Sequence, residues 1–175
     1  LTKETSTGAI AQKIATKLQE KGGKLIDGIS RHQLLLHEEI DYTSHNSSMC
    51  LFMDSIQCDF DEIRDCAEKT IKKHMAKTSN PGLAIYCIKE APVPKKLIQY
   101  GFQAKSKVLT KNDAYMTAKE TGVFLEELGG NGTGIIGALA GIGLRLSRCD
   151  GSLRGKKGLT FAGQIFQAHE MCNLL

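Results

Sequence analysis

Apolar positions along the chain recur at two periods, and these sort most of it into elements. Ile10, Ala11, Ile14, Ala15 and Leu18 recur at three- and four-residue spacing, with Lys13, Lys17 and Glu20 elsewhere; this predicts an amphipathic helix after Thr5-Ser6-Thr7. Ser6 or Thr7 is expected to cap it, and Gly22-Gly23 to end it. Short apolar runs predict strands at 24–29 and 33–36, and a buried strand at 48–53. The clearest helix is predicted over 59–77, where Phe60, Ile63, Cys66, Ala67, Thr70, Ile71, His74 and Met75 form one stripe. His74, on that side, reads as a packed residue. Asp59 with Glu62 fits a capping box, and Asp65/Lys69 and Glu68/Lys72 are i,i+4 pairs in the favoured order. Ser79-Asn80-Pro81-Gly82 then reads as a turn, followed by a strand at 83–89. Strand 48–53, helix 59–77 and strand 83–89 together predict a β-α-β unit. Pro94 suits the first turn of a further helix, and 106–109 reads as another strand. Asn112 is expected to cap a helix ending near Gly122, and 123–128 reads as a second helical piece.

That piece leads into the stretch on which the chain is organised, residues 129–147. It opens with Gly129, Gly130, Gly132 and Gly134 and continues as an apolar run of Ala, Gly, Ile and Leu on every face, predicting a helix buried all round. A glycine loop at a helix start can aim backbone N–H groups at an anion, where the helix dipole favours negative charge. No Lys-Ser/Thr follows, so it is not a P-loop. Gly132-x-Gly134-x-x-Gly137 has dinucleotide spacing, but that pattern belongs after a strand and 123–128 reads as helix. Two readings stay open: a loop before a close-packed core helix, and an anion site.

Composition narrows the class. With 175 residues, 41% hydrophobic and 24% charged, the chain is an ordinary globular protein of one domain or two small, intimately packed ones. No apolar run approaches a transmembrane span and no signal peptide is seen. The first residue is Leu, and we expect the native N-terminus upstream; truncation after Leu175 is equally compatible. Six scattered cysteines contain no C-x-x-C pair, which argues against a zinc ribbon and suits a reducing cytoplasm. Cys50, Cys66 and Cys87 lie among apolar residues and read as small core hydrophobes. A net charge of +4 permits an anionic partner without demanding one.

Three further groups bear on chemistry. Thr43-Ser44-His45-Asn46 reads as a polar turn, or as a place where His45 binds phosphate or moves a proton. Arg145, Arg148, Arg154, Lys156 and Lys157 make a basic stretch whose guanidiniums suit phosphate, although without interleaved aromatics it is no nucleic-acid surface by itself. His169-Glu170 lacks the further ligands a metal needs, so no metal site is predicted.

Ser79-Asn80-Pro81-Gly82-Leu83-Ala84-Ile85, followed by Gly130-Asn131-Gly132-Thr133-Gly134-Ile135-Ile136-Gly137-Ala138-Leu139-Ala140-Gly141-Ile142-Gly143, resembles archaeal tRNA-isoleucine agmatinylcytidine synthetase. That family carries a similar NPG turn and a GNGxGVIGALAAIG segment in this order. Thr5-Ser6-Thr7-Gly8 resembles its Cys-Thr-Thr segment, and residues 41–48 its polar loop before a strand; the resemblance spans about 5–147. Three departures accompany it. The family's acidic DDTD motif would fall just before Leu1, its nucleic-acid-binding barrel and zinc ribbon have no counterpart here, and Gly8 stands where it has a second threonine.

The resemblance implies an α/β (α+β) protein in which a ferredoxin-like portion, residues 48–110, packs on a kinase-like nucleotide-binding portion, residues 1–47 and 111–175. It implies a cytoplasmic ATP-dependent enzyme, ligase- or kinase-like, with ATP and Mg2+ as cofactors. A small amine substrate is implied, tRNA is a partner placed in doubt by the absent domains, and a homo-oligomer is compatible. Thr7 is then the hydroxyl near the γ-phosphate, and His45 and Asn46 line the cleft. Gly130, Asn131, Gly132, Thr133 and Gly134 cradle phosphates, Arg145 and Arg148 neutralise charge, and an upstream carboxylate motif holds magnesium. The alternatives are a non-catalytic nucleotide- or small-ligand-binding module and an interaction domain whose glycine helix only packs.

Overall fold

The structure is a computed structural model and describes residues 6–42, 45–88 and 92–154. Thr43, Ser44, Lys156, Lys157, His169 and Glu170 lie outside the described residues, as does the side chain of Arg154. The architecture is α+β: five helices and short antiparallel ladders among the described residues.

Helix α1 (Thr7–Glu20) starts where Ser6 Oγ accepts the Ala9 amide at 3.2 Å, so Ser6 is the cap and Thr7 the first helical residue. Its apolar stripe is buried as predicted. Helix α2 (Phe60–His74) has the predicted Asp59/Glu62 capping box and both predicted i,i+4 ion pairs. Phe60 meets Phe124 edge to face, with centroids 5.4 Å apart. Together α1 and α2 enclose Ile10, Ile14, Leu18, Ala67 and Ile71. Helix α3 (Lys95–Gln103) and α4 (Lys111–Thr121) pack on α5 (Gly134–Ser147) around Leu97, Ala114, Ala118, Ile135, Leu139 and Leu144. The α3–α5 approach is very close: a Cβ at Gly143 would lie 2.1 Å from the Leu97 carbonyl oxygen. No residue of α5 is exposed, in line with a helix apolar on every face.

Several sequence expectations are corrected. The run 24–29 is not one strand. β1 (Lys24–Leu25) pairs with β4 (Met53–Asp54), and β2 (Ile29–Gln33) with β3 (Ser47–Cys50). Between the ladders the register slips, because Asp27 and Gly28 take left-handed φ of 54° and 73°. β2 also pairs with β7 (Ser152–Arg154), giving the order β3-β2-β7. Residues 34–36 and 106–109 are not strands. The piece 123–128 is not a helix either. Gly122, at φ 71°, ends α4, and β6 (Phe124–Glu127) pairs antiparallel with β5 (Gly82–Ile85). Strands 47–50 and 82–85 thus lie in different ladders and the helix between them joins no β-α-β pair. Thr110, not Asn112, caps α4, in a capping box with Asp113. Cys50 and Cys66 are half-buried, but Cys87 is exposed rather than in the core.

Candidate functional site

A strand does precede the glycine loop: β6, residues 128–133 and α5 follow one another. That supplies the strand–loop–helix order, but β6 runs antiparallel to β5, so no parallel dinucleotide fold results. The loop is locked to the turn before β5 through backbone and the Asn80 side chain. The Leu128 amide donates to the Pro81 carbonyl at 3.0 Å, and the Asn131 amide to Asn80 Oδ1 at 3.2 Å. A Cβ at Gly82 would lie 2.3 Å from the Ile135 nitrogen, and one at Gly134 would lie 1.9 Å from the Asn80 carbonyl oxygen. Only glycine fits at either contact. The two most distinctive motifs of the sequence are therefore one structural unit.

Asn131 is the centre of the loop. Its Oδ1 accepts the Thr133 amide at 3.1 Å and the Thr133 hydroxyl at 2.7 Å, and its Nδ2 donates to Asp41 at 3.1 Å. Gly132 sits at φ 77°, and a Cβ there would lie 1.7 Å from Glu127 Oε2. Glu127 accepts from Tyr115 Oη at 2.7 Å and from Lys111 Nζ at 2.9 Å, and Lys111 also donates to the Asn131 carbonyl at 3.1 Å. The Tyr115 hydroxyl and then the Lys111 ammonium hold the Glu127 carboxyl below its ordinary value. The amides of Asn131, Gly132 and Thr133 are all engaged internally. Among the described residues the amides of Gly129, Gly130 and Gly134 make no such bond, and Thr133 gives α5 no side-chain cap.

A wide cleft of about 1830 Å³ brings many of the sequence candidates together. Thr7, His45, Asn46, Thr133, Gly134, Arg145 and Arg148 all line it, whereas Gly130, Asn131 and Gly132 are not among its walls. Thr7 and His45 are exposed. Asn46 is a structural tie: its Nδ2 donates to the Leu35 carbonyl at 2.7 Å, and its carbonyl accepts the Leu34 amide at 2.9 Å. Arg145 donates to the Ile26 carbonyl at 3.0 Å. Arg148 is exposed at a left-handed φ of 60°. Gly134 and Arg148 stand at opposite ends of α5, about 20 Å apart at 1.5 Å per residue. The cleft has a glycine end and an arginine end. Burial pushes the thiol of Cys50, also in its wall, up to about 12, which favours the protonated form.

One polar network escaped the sequence reading. His32 Nδ1 donates to Asp150 at 2.9 Å, Ser30 Oγ donates to His32 Nε2 at 2.8 Å, and Lys105 pairs with the other Asp150 oxygen. Ser30 and His32 are fully buried, so the serine meets no substrate. Burial lowers the His32 pKa against the opposing pull of Asp150. Burial alone would raise the Asp150 carboxyl, yet the Lys105 and His32 bonds hold it below its ordinary value. The network fastens the segment after α5 to β2 and to the turn after α3. Its only signal in sequence is the alternation that puts Ser30 and His32 on one face of a strand.

No protein-family model matches the chain. Over 116 residues, 64% of this chain, it is 33% identical to the tRNA-isoleucine 2-agmatinylcytidine synthetase TiaS of Pyrococcus horikoshii, of whose length it spans 26%. The complex of TiaS with its isoleucine tRNA and ATP matches in structure at a TM-score of 0.63 with 25% identity, over 79% of this chain and 32% of that one. A tRNA fluorescent labeling enzyme matches at 0.56 with 26% identity, over 75% and 31%. Apo TiaS, at 0.59 with 23% identity over 80% and 33%, agrees in fold.

Proposed function

We propose that this chain, a relative of the tRNA-isoleucine agmatinylcytidine synthetases over the 64% of its length that aligns, binds ATP in its cleft and contributes the nucleotide-binding part of that chemistry. The observation that supports the reading is that Thr133 and Gly134, at the start of α5, line the same cleft as Thr7. In this reading the Gly134 amide and the α5 dipole receive a phosphate, and the rest of the loop, Gly130 to Gly132, fixes that amide in place. Thr7 offers a hydroxyl to the γ-phosphate and His45 stands at the rim. ATP supplies the activated phosphoryl group.

Among the described residues no three His, Cys, Asp or Glu gather as metal ligands, and Asp41 in the cleft wall is bonded to Asn131. A Mg2+ site built from these residues alone does not fit. Arg145 and Arg148, at the far end of α5, are assigned to a second anionic partner; the relative's complex with tRNA makes a tRNA phosphate the leading case. An amine substrate, a homo-oligomer and a cytoplasmic location belong to the same proposal. So does the division into a kinase-like portion, 1–47 with 111–175, and a ferredoxin-like portion, 48–110. No described helix is long and apolar enough to cross a membrane.

The second reading is a binding module without chemistry, and internal engagement of the Asn131–Thr133 amides favours it. Calorimetry separates the two. ATP binding that Thr7→Val leaves intact, with loss of phosphoryl transfer, supports the enzyme. Binding with no transfer by the natural full-length protein supports the module, and no binding by that protein refutes both.

A further inference from the structure

Helices α1 and α2 line the cleft with their apolar stripes and join along a polar seam elsewhere. On α1, Lys13 and Lys17 stand one turn apart and reach across to α2. Lys17 Nζ donates to the buried Thr70 hydroxyl at 2.9 Å, and Lys13 Nζ lies 3.4 Å from His74 Nδ1. An ammonium only donates, so Nδ1 accepts and the ring is neutral. Lys73, beside His74 on α2, is exposed. None of these side chains is among the walls of the cleft.

Their charge is left uncompensated, unlike that of their neighbours. Elsewhere on the two helices Lys21 pairs with Glu62, Arg64 with Asp61 and Asp65, Lys69 with Asp65, and Lys72 with Glu68. Lys13, Lys17 and Lys73 form no ion pair among the described residues, although Glu20 shares α1 with two of them. Like charges four residues apart weaken a helix. Burial first, and then the charges of Lys13, Lys73 and Lys17, hold His74 below its ordinary 6.5. The seam therefore concentrates positive charge around neutral partners.

We infer that this seam is a contact surface for the phosphate backbone of a nucleic-acid strand, with Lys13, Lys17 and Lys73 as its phosphate-binding cations. A row suits a chain of phosphates better than a single anion: Lys13 and Lys17 are about 6 Å apart along α1, and Lys73 continues the charge on the facing helix. A lipid surface does not fit, because the exposed α1 positions around the row, Gln12, Thr16, Gln19 and Glu20, have no apolar side chain to insert. No aromatic side chain joins the row, so the contact is to phosphates without base stacking. The surface is separate from Arg145 and Arg148 in the cleft, and it requires neither ATP nor a folded tRNA.

The test is fluorescence anisotropy of a labelled single-stranded oligouridine on this 175-residue chain, over a series of salt concentrations. Replacing all three lysines, Lys13→Gln with Lys17→Gln and Lys73→Gln, should weaken binding at least about tenfold at low salt. It should also make the log–log salt slope shallower by about 2, near 0.7 for each cation lost. Lys69→Gln with Lys72→Gln, which removes two paired cations from α2, should change affinity less than about threefold. Oligoadenosine should bind like oligouridine, within about threefold. Equal losses from both sets of substitutions reduce the effect to net charge and overturn the inference, as does absence of RNA binding by the parent chain. A melting temperature lowered by more than about 5 °C in the triple variant makes these lysines structural links between α1 and α2, and overturns it too. So does displacement of the RNA by millimolar inorganic phosphate at constant ionic strength, which assigns the seam to a small anion. Binding of phosphatidylserine vesicles that the triple variant loses, with RNA affinity unchanged, assigns it to lipid. The probe is neither ATP nor tRNA, so failure here and failure of the proposed function are told apart.

Discussion

Asn80 Oδ1 accepts the amide hydrogen of Asn131 at 3.2 Å. Through that bond the turn before β5 and the loop before α5 become one rigid piece, with glycine backbones pressed together behind it. The glycines of the loop serve this joint, and its Thr133–Gly134 end lines the cleft.

Gly82→Ala tests the joint. Its Cβ would lie 2.3 Å from the Ile135 nitrogen and 2.4 Å from the Gly134 carbonyl carbon, both backbone atoms that cannot turn aside. A loss of about 1–3 kcal/mol is expected in urea denaturation. Unaltered stability would mean that the turn and the loop are not in contact.

Asn131→Ala removes three side-chain bonds, to Thr133 twice and to Asp41. Since the residue is exposed, stability should fall by only about 0.5–1.5 kcal/mol. ATP affinity, if the loop end holds phosphate, should fall far more. Equal small losses in both would favour packing over binding.

His32 gives a pH dependence with a fixed sign. Burial places its folded pKa below the ordinary 6.5, so the unfolded chain binds the extra proton first. Its contribution is complete above pH 6.5 and is lost as pH falls from 6.5 toward the folded value. Asp150, held below 3.8, adds a separate loss only at lower pH, as it protonates. His32→Gln should lower stability at neutral pH and flatten the upper slope in denaturation curves taken between pH 7 and 5. A slope that persists would assign it to another group.

Arg148→Ala should leave stability within about 0.5 kcal/mol, because the side chain is exposed. ATP affinity should not change, since the backbone of Arg148 stands about 20 Å along α5 from Gly134. If Arg148 meets a tRNA phosphate as proposed, affinity for tRNA should fall, with a shallower salt dependence in gel shifts. A drop in ATP affinity instead would place one anion across both ends of the cleft.

Local chemistry was legible in the sequence. Periodicity gave α1 and α2, the Asp59-x-x-Glu62 spacing gave a real capping box, and Gly122 ended α4 as expected. What failed was pairing, which depends on partners distant in the chain. Phe124 to Glu127 carry helix-tolerant residues, yet β5 offers them a ladder. The run at 24–29 looked continuous, and left-handed Asp27 and Gly28 break it. Thr7 and His45, singled out in the sequence, both line the cleft. The meeting of Asn80 with Asn131, and of His32 with Asp150, was not legible there, because tertiary contact alone creates those pairs.

Helix α5 carries Gly134, Gly137, Gly141 and Gly143 within one span of Gly134–Ser147. Each glycine costs a helix about 0.5–1 kcal/mol relative to alanine, so this segment has little helical tendency of its own. It is helical because α3, α4, β3 and β5 all close on it, and those elements owe their own cover to it. Neither side can form without the other. Unfolding of the described body should accordingly be a single cooperative event, in which the helix at its centre has no independent melting transition.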